Sequence, residues 1–317
     1  MLSADNATGP AKISDFGKGR VALPVSASSL VFKAIKSSPL QSAFLARSFN
    51  FLLKRSGKTY TATTYFGARI ECDPSEFIQS RILMFGFWEP NISNVMEMTL
   101  QSGDVFVDIG ANTGYDTLLA STLVGAQGRV VSIEASPKTF EVLCRQLQEN
   151  RASNVRTVNQ AVSDKAGTLT LYSGGAGDTG KATTIKSRGL SEEATIASAP
   201  LDQILTSEER SRLRLIKMDI EGGELPVLHR FLATTDLYPE TVQVIVEASP
   251  QEDPSGWAQI FDRMQAAGFH PYLIENRYEY DWYLNWRRPT PPRQLARMPA
   301  EQSDILFTRQ KPRQSSA

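Results

Sequence analysis

The stretch V-F-V-D-I-G-A-N-T-G at Val105 to Gly114 constrains this chain more than any other. Five residues that alternate only weakly in polarity read as a strand buried on both faces. They run without a spacer into a turn of small residues, and an apolar, helix-forming segment follows at once. A strand, a glycine turn and a helix in direct succession belong to a sheet with crossover connections, because the helix must carry the chain back to start the next parallel strand. The rest of the sequence repeats the alternation. Strands are expected at Val130 to Ile133, Val155 to Asn159, Leu213 to Met218 and Val242 to Glu247, then at His270 to Ile274 and Asp304 to Thr308. Helices are expected at Thr113 to Leu123, Pro137 to Glu149, Glu224 to Leu232 and Ser255 to Ala267. The expected fold is therefore α/β: a doubly wound, mostly parallel, seven-stranded Rossmann-like sheet, with a hairpin from Val155 to Asn159 through Leu169 to Tyr172 beside it.

The residues around the glycine turn indicate a ligand. Gly110 and Gly114 permit a tight turn and close approach to the backbone, and the following helix offers unpaired N–H groups. The spacing is G-x-x-x-G, so the G-x-G-x-x-G dinucleotide fingerprint is not met. Asp108 ends the first strand and would repel a pyrophosphate, whereas it suits a ligand carrying positive charge. Glu134 ends the second strand 20 residues after Gly114, where an acid can accept both hydroxyls of a ribose. Together these features describe a pocket for a cationic nucleoside such as S-adenosylmethionine.

Further motifs occur in a fixed order: F-W-E-P at Phe87 to Pro90, S-G-D-V-F-V-D at Ser102 to Asp108, N-Q-A-V-S-D at Asn159 to Asp164 and K-M-D-I-E-G-G-E at Lys217 to Glu224. In these the sequence resembles the FkbM family of S-adenosylmethionine-dependent methyltransferases, over about residues 65 to 164 and 212 to 247. It departs from the family where the second strand ends I-E-A-S and where His229-Arg230 stands in place of the usual pair. The resemblance implies that Asp108, Gly110, Asn112 and Gly114 line the methionine end of the cofactor. It further implies that Glu134 holds the ribose, that Gln160 and Ala161 lie by the adenine, and that Asp219 sits beside the transferred methyl group.

The implied activity is methyl transfer, with a hydroxyl of a sugar, glycan or small metabolite as the expected acceptor. Asp219 is the first candidate base, with Glu221 and Glu247 as alternatives; Asp219 and Glu221 are two apart on extended chain and can face one side. No metal is assigned. A divalent cation between Asp219 and Glu247 is the less favoured option, since two carboxylates lack a third ligand. His229 and His270 read as structural residues. The crowd of Arg277, Tyr278, Tyr280, Trp282, Tyr283, Trp286, Arg287 and Arg288 could be an acceptor platform or a flap packed on the core.

Gly175 to Ala182 has the G-x-x-x-x-G-K spacing of a phosphate-binding loop, but Ala182 follows where Ser or Thr should ligate magnesium. A flexible loop near the acceptor is the better reading.

Two cysteines, Cys72 and Cys144, and two histidines exclude a disulfide framework and a thiolate metal cluster. With 41% hydrophobic and 21% charged residues in 317, the chain is globular rather than disordered. No apolar run approaches the roughly 20 residues that span a bilayer, and the first 25 residues lack a secretory signal, so a cytoplasmic location is the expectation.

Net charge is zero but uneven. Residues 1 to 60 hold nine Lys/Arg against two Asp, and residues 277 to 317 hold eight against four acids, which leaves an acidic body between basic ends. The expected organisation is a basic arm and helical extension at 1 to 58, with Pro39 dividing two helices in Ser28 to Arg55. A hairpin and helical lead-in at 59 to 101, the methyltransferase domain at 102 to 310 and a tail at 311 to 317 follow. The acidic body disfavours nucleic acid as a partner, while peripheral membrane contact through the basic extension is an option. The rivals to a small-molecule or glycan enzyme are an RNA methyltransferase and a membrane- or partner-docking protein with a vestigial nucleoside pocket; oligomeric state has no signal.

Overall fold

The computed structural model describes residues 12–13, 43–173, 183 and 190–310. The first of the two expected N-terminal helices, the arm, the tail and the Gly175 to Ala182 loop lie outside the described residues. The second expected helix is α1 (Ala43–Arg55), followed by the hairpin β1 (Tyr60–Thr63) and β2 (Arg69–Cys72). The expected helical lead-in is two helices. It forms α2 (Phe77–Phe85), which stops at left-handed Gly86, and α3 (Pro90–Thr99), which opens on a proline at its first position.

The alternating body begins with β3 (Val105–Ile109), α4 (Tyr115–Val124), β4 (Arg129–Ile133), α5 (Pro137–Glu149) and β5 (Val155–Val158). A side sheet follows, made of β6 (Ala161–Val162), β7 (Gly167–Ser173) and β8 (Ser191–Ala199). Next come α6 (Leu201–Ile204), α7 (Ser207–Ser211), β9 (Leu213–Met218), α8 (Glu224–Ala233), β10 (Gln243–Ala248), α9 (Pro254–Ala266) and β11 (His270–Ile274). The chain closes with α10 (Tyr280–Asn285), β12 (Arg293–Gln294) and β13 (Ser303–Thr308).

The main sheet runs in the order β12-β11-β13-β10-β9-β3-β4-β5. Strands β10, β9, β3, β4 and β5 are parallel neighbours, and β13 enters antiparallel between β10 and β11. All seven expected strands are present. The eighth, β12, pairs only Arg293 and Gln294 along the outer edge of β11. Pro289, Pro291 and Pro292 just before it hide any alternation, and proline is tolerated next to an edge strand because no ladder partner waits on its far side.

The side sheet corrects a second expectation. β7 does not pair with β5; its antiparallel partner is β8, which the sequence reading lacks. The composition of β8, S-E-E-A-T-I-A-S-A, carries one β-branched apolar residue and little alternation, so no strand pattern is visible there.

The central strands are buried on both faces. Val105, Val107 and Ile109 pack on one side with Val227, Leu228 and Phe231 of α8 and with Trp257, Ile260 and Met264 of α9. Phe106, with Leu215 and Ile245 of neighbouring strands, packs on the other side with Leu118 and Leu119 of α4 and Leu143 of α5. Ile82 and Phe85 of α2 and Ile92 and Met96 of α3 belong to this second cluster, so the lead-in shares its core with the sheet.

Polar contacts fix the hairpin in place. Gln146 and Asn150 of α5 each exchange two hydrogen bonds with the backbone of Glu71 and Arg69, which satisfies the open edge of β2. Glu97 of α3 accepts from the Tyr65 hydroxyl at 2.8 Å and from the backbone N–H of Ile13.

Candidate functional site

The carboxyl ends of β3, β4, β9 and β10 open on a cavity of about 480 Å³. One wall is the glycine turn. Gly110 has a φ of +83°, and a Cβ there would stand 1.9 Å from the carbonyl oxygen of Asp219, so the tips of β3 and β9 meet where only glycine fits. The Asp219 N–H donates to the Ile109 carbonyl at 3.0 Å and ties the two tips together. Asn112 takes a left-handed φ of 50°, and its N–H donates to Glu134 Oε2 at 2.9 Å. Ser136 N–H donates to the other oxygen, Oε1, at 2.8 Å. Glu134 is thereby held in one orientation, with a lone pair still free on each oxygen. Burial pushes its carboxyl up to about 7, against the opposing pull of those two N–H donors.

Of the residues expected at a cofactor, Gly110, Asn112, Glu134, Gln160, Ala161 and Asp219 line the cavity. Asp108 and Gly114 do not. Asp108 is buried behind the turn and accepts from the Thr117 hydroxyl at 2.6 Å. Gly114 starts α4, where a Cβ would meet Leu143 of α5 at 2.7 Å. Ile133, Ala161, Val162, Leu169 and Leu171 give the cavity an apolar section beside Glu134.

The three candidate bases converge. Asp219, Glu221 and Glu247 each offer a carboxylate oxygen, and the three oxygens lie within 4.8 Å of one another. This supplies the third carboxylate that spacing alone left unidentified. Glu221 has a left-handed φ of 57°, and Glu224 below it accepts from the N–H groups of Ile220 and Gly222, both at 3.1 Å, which folds the loop inward. Burial, then the charges of Asp219 and Asp304, push Glu247 up to about 10.

The sequence reading missed several residues of the cavity. Lys217 sits 3.3 Å from Asp116 and 3.4 Å from Asp219, with little exposure. Burial works against its charge, but Asp116, Asp219, Glu89 and Asp108 outweigh that and hold the ammonium well above its ordinary value. Glu89, in F-W-E-P, caps α3 at a φ of 38° and accepts from the Tyr278 hydroxyl at 2.9 Å, while its second oxygen has no partner. An acid directly before a proline that can open a helix was the available signal.

The C-terminal aromatic crowd divides. Tyr278 lines the cavity and stacks on Trp88 with ring centroids 5.3 Å apart, whereas Tyr283 and Trp286 pack inward on Phe85 and Phe87. Neither His229 nor His270 lines the cavity.

Among the described residues seven acids line this cavity, Glu76, Glu89, Asp116, Glu134, Asp219, Glu221 and Glu247, against one cation, Lys217. Such a lining suits a sulfonium nucleoside and opposes a phosphate-bearing one. The open parallel sheet, the glycine turn on its first central strand and the acid closing the next define a Rossmann-like S-adenosylmethionine-dependent methyltransferase. The chain belongs to the Methyltransferase FkbM domain family, which matches residues 108–271. Among solved structures it is similar to methyltransferase FkbM from Methylobacillus flagellatus, at 16% identity over 65% of this chain and 43% of that one, with a TM-score of 0.39. It is also similar to precorrin-6y C5,15-methyltransferase from Geobacter metallireducens, at 13% identity, 69% and 88% coverage and a TM-score of 0.39. Aeropyrum pernix fibrillarin, solved with natively bound S-adenosyl-L-methionine, gives 10% identity, 66% and 67% coverage and a TM-score of 0.35. No curated protein matches the sequence.

Proposed function

We propose that this chain methylates a hydroxyl on a sugar, glycan or small metabolite. The observation that carries the reading is the convergence of Asp219, Glu221 and Glu247 on the same cavity that Glu134 enters from the far side. Glu134 directly follows β4 and Glu247 is the penultimate residue of β10, and two strands, β3 and β9, separate them. At about 4.8 Å per strand the two acids stand roughly 14 Å apart across the sheet, room for a nucleoside and an acceptor in line.

When bound, S-adenosylmethionine supplies a methyl group on a cationic sulfur. In this reading Glu134 holds the ribose, Gln160 and Ala161 border the adenine, and Gly110 and Asn112 shape the methionine end. Asp108 and Gly114 support that turn from behind. Asp219 takes the proton of the acceptor hydroxyl, with Lys217 beside it to steady the carboxylate. Trp88 and Tyr278 offer aromatic faces on which a sugar ring can lie. Seven acids against one lysine among the described lining residues disfavour the phosphates of an RNA acceptor.

The test is transfer of labelled methyl groups to a panel of hydroxylated sugars, glycans and metabolites, with the methylated atom located by mass spectrometry. Label found only on nitrogen, on carbon or on RNA overturns the reading. The same three carboxylates are also close enough to hold a divalent cation that would acidify the hydroxyl. Transfer abolished by a chelator and restored by magnesium would favour that version over Asp219 as a free base.

Cofactor affinity should depend on pH through Glu134. Its folded value, about 7, lies above the unfolded one, so its stability contribution is full at low pH and is lost as pH rises through 7. Ribose hydroxyls donate to the anion and favour it, so affinity should rise by up to about tenfold between pH 6 and 8 with uptake of a hydroxyl donor pair and release of a proton. Calorimetry in buffers of different ionisation enthalpy measures that proton. Glu134→Ala should weaken binding by roughly 1 to 3 kcal/mol and flatten the profile.

A further inference from the structure

We infer that α1 docks this enzyme on an anionic lipid surface, beside the mouth of the cavity. Helices in a folded chain bury their apolar stripe, and α1 buries one: Ala46 is enclosed, and Phe49 and Leu53 pack partly on the core. It carries a second apolar stripe facing outward. Phe44, Phe51 and Leu52 are 74%, 58% and 64% exposed, three of the five large apolar side chains so exposed among the described residues. Phe44 and Phe51 are seven residues apart and so share one line along the helix. Arg47, Lys54 and Arg55 stand exposed on the same outward side, and Lys58 follows in the turn.

The charge of this region is one-sided. From residue 16 to residue 70 the sequence holds nine Lys/Arg and no Asp or Glu. Apolar side chains that project from a cationic face match the chemistry of a bilayer with anionic head groups, where the rings enter the acyl boundary and the cations meet phosphates. A protein partner would need acids of its own opposite every cation, and α1 presents none to register them.

The position of α1 gives the docking a use. It packs against α2 and α10. Glu76, Phe77 and Gln79 at the start of α2, and Tyr278 just before α10, line the cavity. Phe77 itself is 47% exposed. Docking through α1 therefore brings the cavity mouth toward the surface, the arrangement that an acceptor anchored in the bilayer requires. No helix among the described residues is long and apolar enough to cross a membrane.

The experiment is flotation of the full chain with phosphatidylcholine vesicles containing no anionic lipid or 30% phosphatidylglycerol, and it does not depend on the acceptor or on methyl transfer. Binding is expected only to the anionic vesicles and should weaken with added salt. Phe44→Ser combined with Phe51→Ser should lower the partition coefficient at least tenfold, and Arg47→Glu with Lys54→Glu by a comparable factor or more. S-adenosylmethionine affinity and the thermal unfolding midpoint, measured in parallel, establish that the variants fold. Absence of vesicle binding by the wild-type chain overturns the inference. So does wild-type binding by the phenylalanine variants, which would leave the outward apolar stripe without a part in the contact. A shift from dimer to monomer in Phe44→Ser/Phe51→Ser, with vesicle binding unchanged, would assign the face to a second copy of the chain instead.

Discussion

Asp219→Asn is expected to slow methyl transfer to the true acceptor by about 100-fold or more while leaving cofactor affinity within a few-fold of wild type. Asparagine keeps the shape of the side chain, and the backbone contacts that position residue 219 do not involve the carboxylate: its N–H donates to Ile109, and its carbonyl abuts Gly110. What the substitution removes is the capacity to accept a proton. It also takes away one partner of Lys217, but Asp116 remains 3.3 Å from that ammonium. Single-turnover rates with saturating acceptor measure the effect without interference from product release. An Asp219→Asn enzyme as fast as wild type would exclude a base at this position, and would leave alignment of the reactants, or a cation that asparagine can still ligate, as the source of rate.

Lys217→Met is expected to destabilise the fold by about 3 to 5 kcal/mol, as when one member of a buried ion pair is deleted. The lysine is the only cation lining the cavity among the described residues, and Asp116, Asp219, Asp108 and Glu89 all act on it electrostatically. Methionine matches its length and leaves no void, so the loss reports charge rather than packing. Denaturant unfolding gives the value directly. A variant within about 1 kcal/mol of wild type would mean that the surrounding acids already carry protons.

Much of this arrangement is legible in the residues themselves. β3 and α5 have the bounds that the pattern predicts, Val105 to Ile109 and Pro137 to Glu149, because a buried strand before a glycine turn and a proline after a capping serine are local signals. Gly110 and Glu134 are legible as strand-end residues of an open sheet, the resemblance adds Asn112 and Asp219, and all four line the cavity. What escaped the reading is tertiary. Glu89 gains its place only when the lead-in folds across the strand tips, Lys217 gains its partner Asp116 only when α4 packs on the sheet, and β8 is stabilised by its neighbours β6 and β7 rather than by its own composition. Asp108 reads as a ligand because it ends a strand, yet strand alternation turns it toward Thr117 of α4.

The cavity is assembled from two sources with different freedoms. The strand tips are spliced at Gly110 and Asp219 with no spare volume, whereas Phe77, Trp88 and Tyr278 arrive on segments outside the parallel strands. An enzyme built in this way can trade its acceptor without renegotiating its chemistry. Under the proposed function, redesign of specificity has its address in residues 76 to 79, 88 to 89 and 278, whereas any side chain placed at Gly110 collides with the Asp219 backbone.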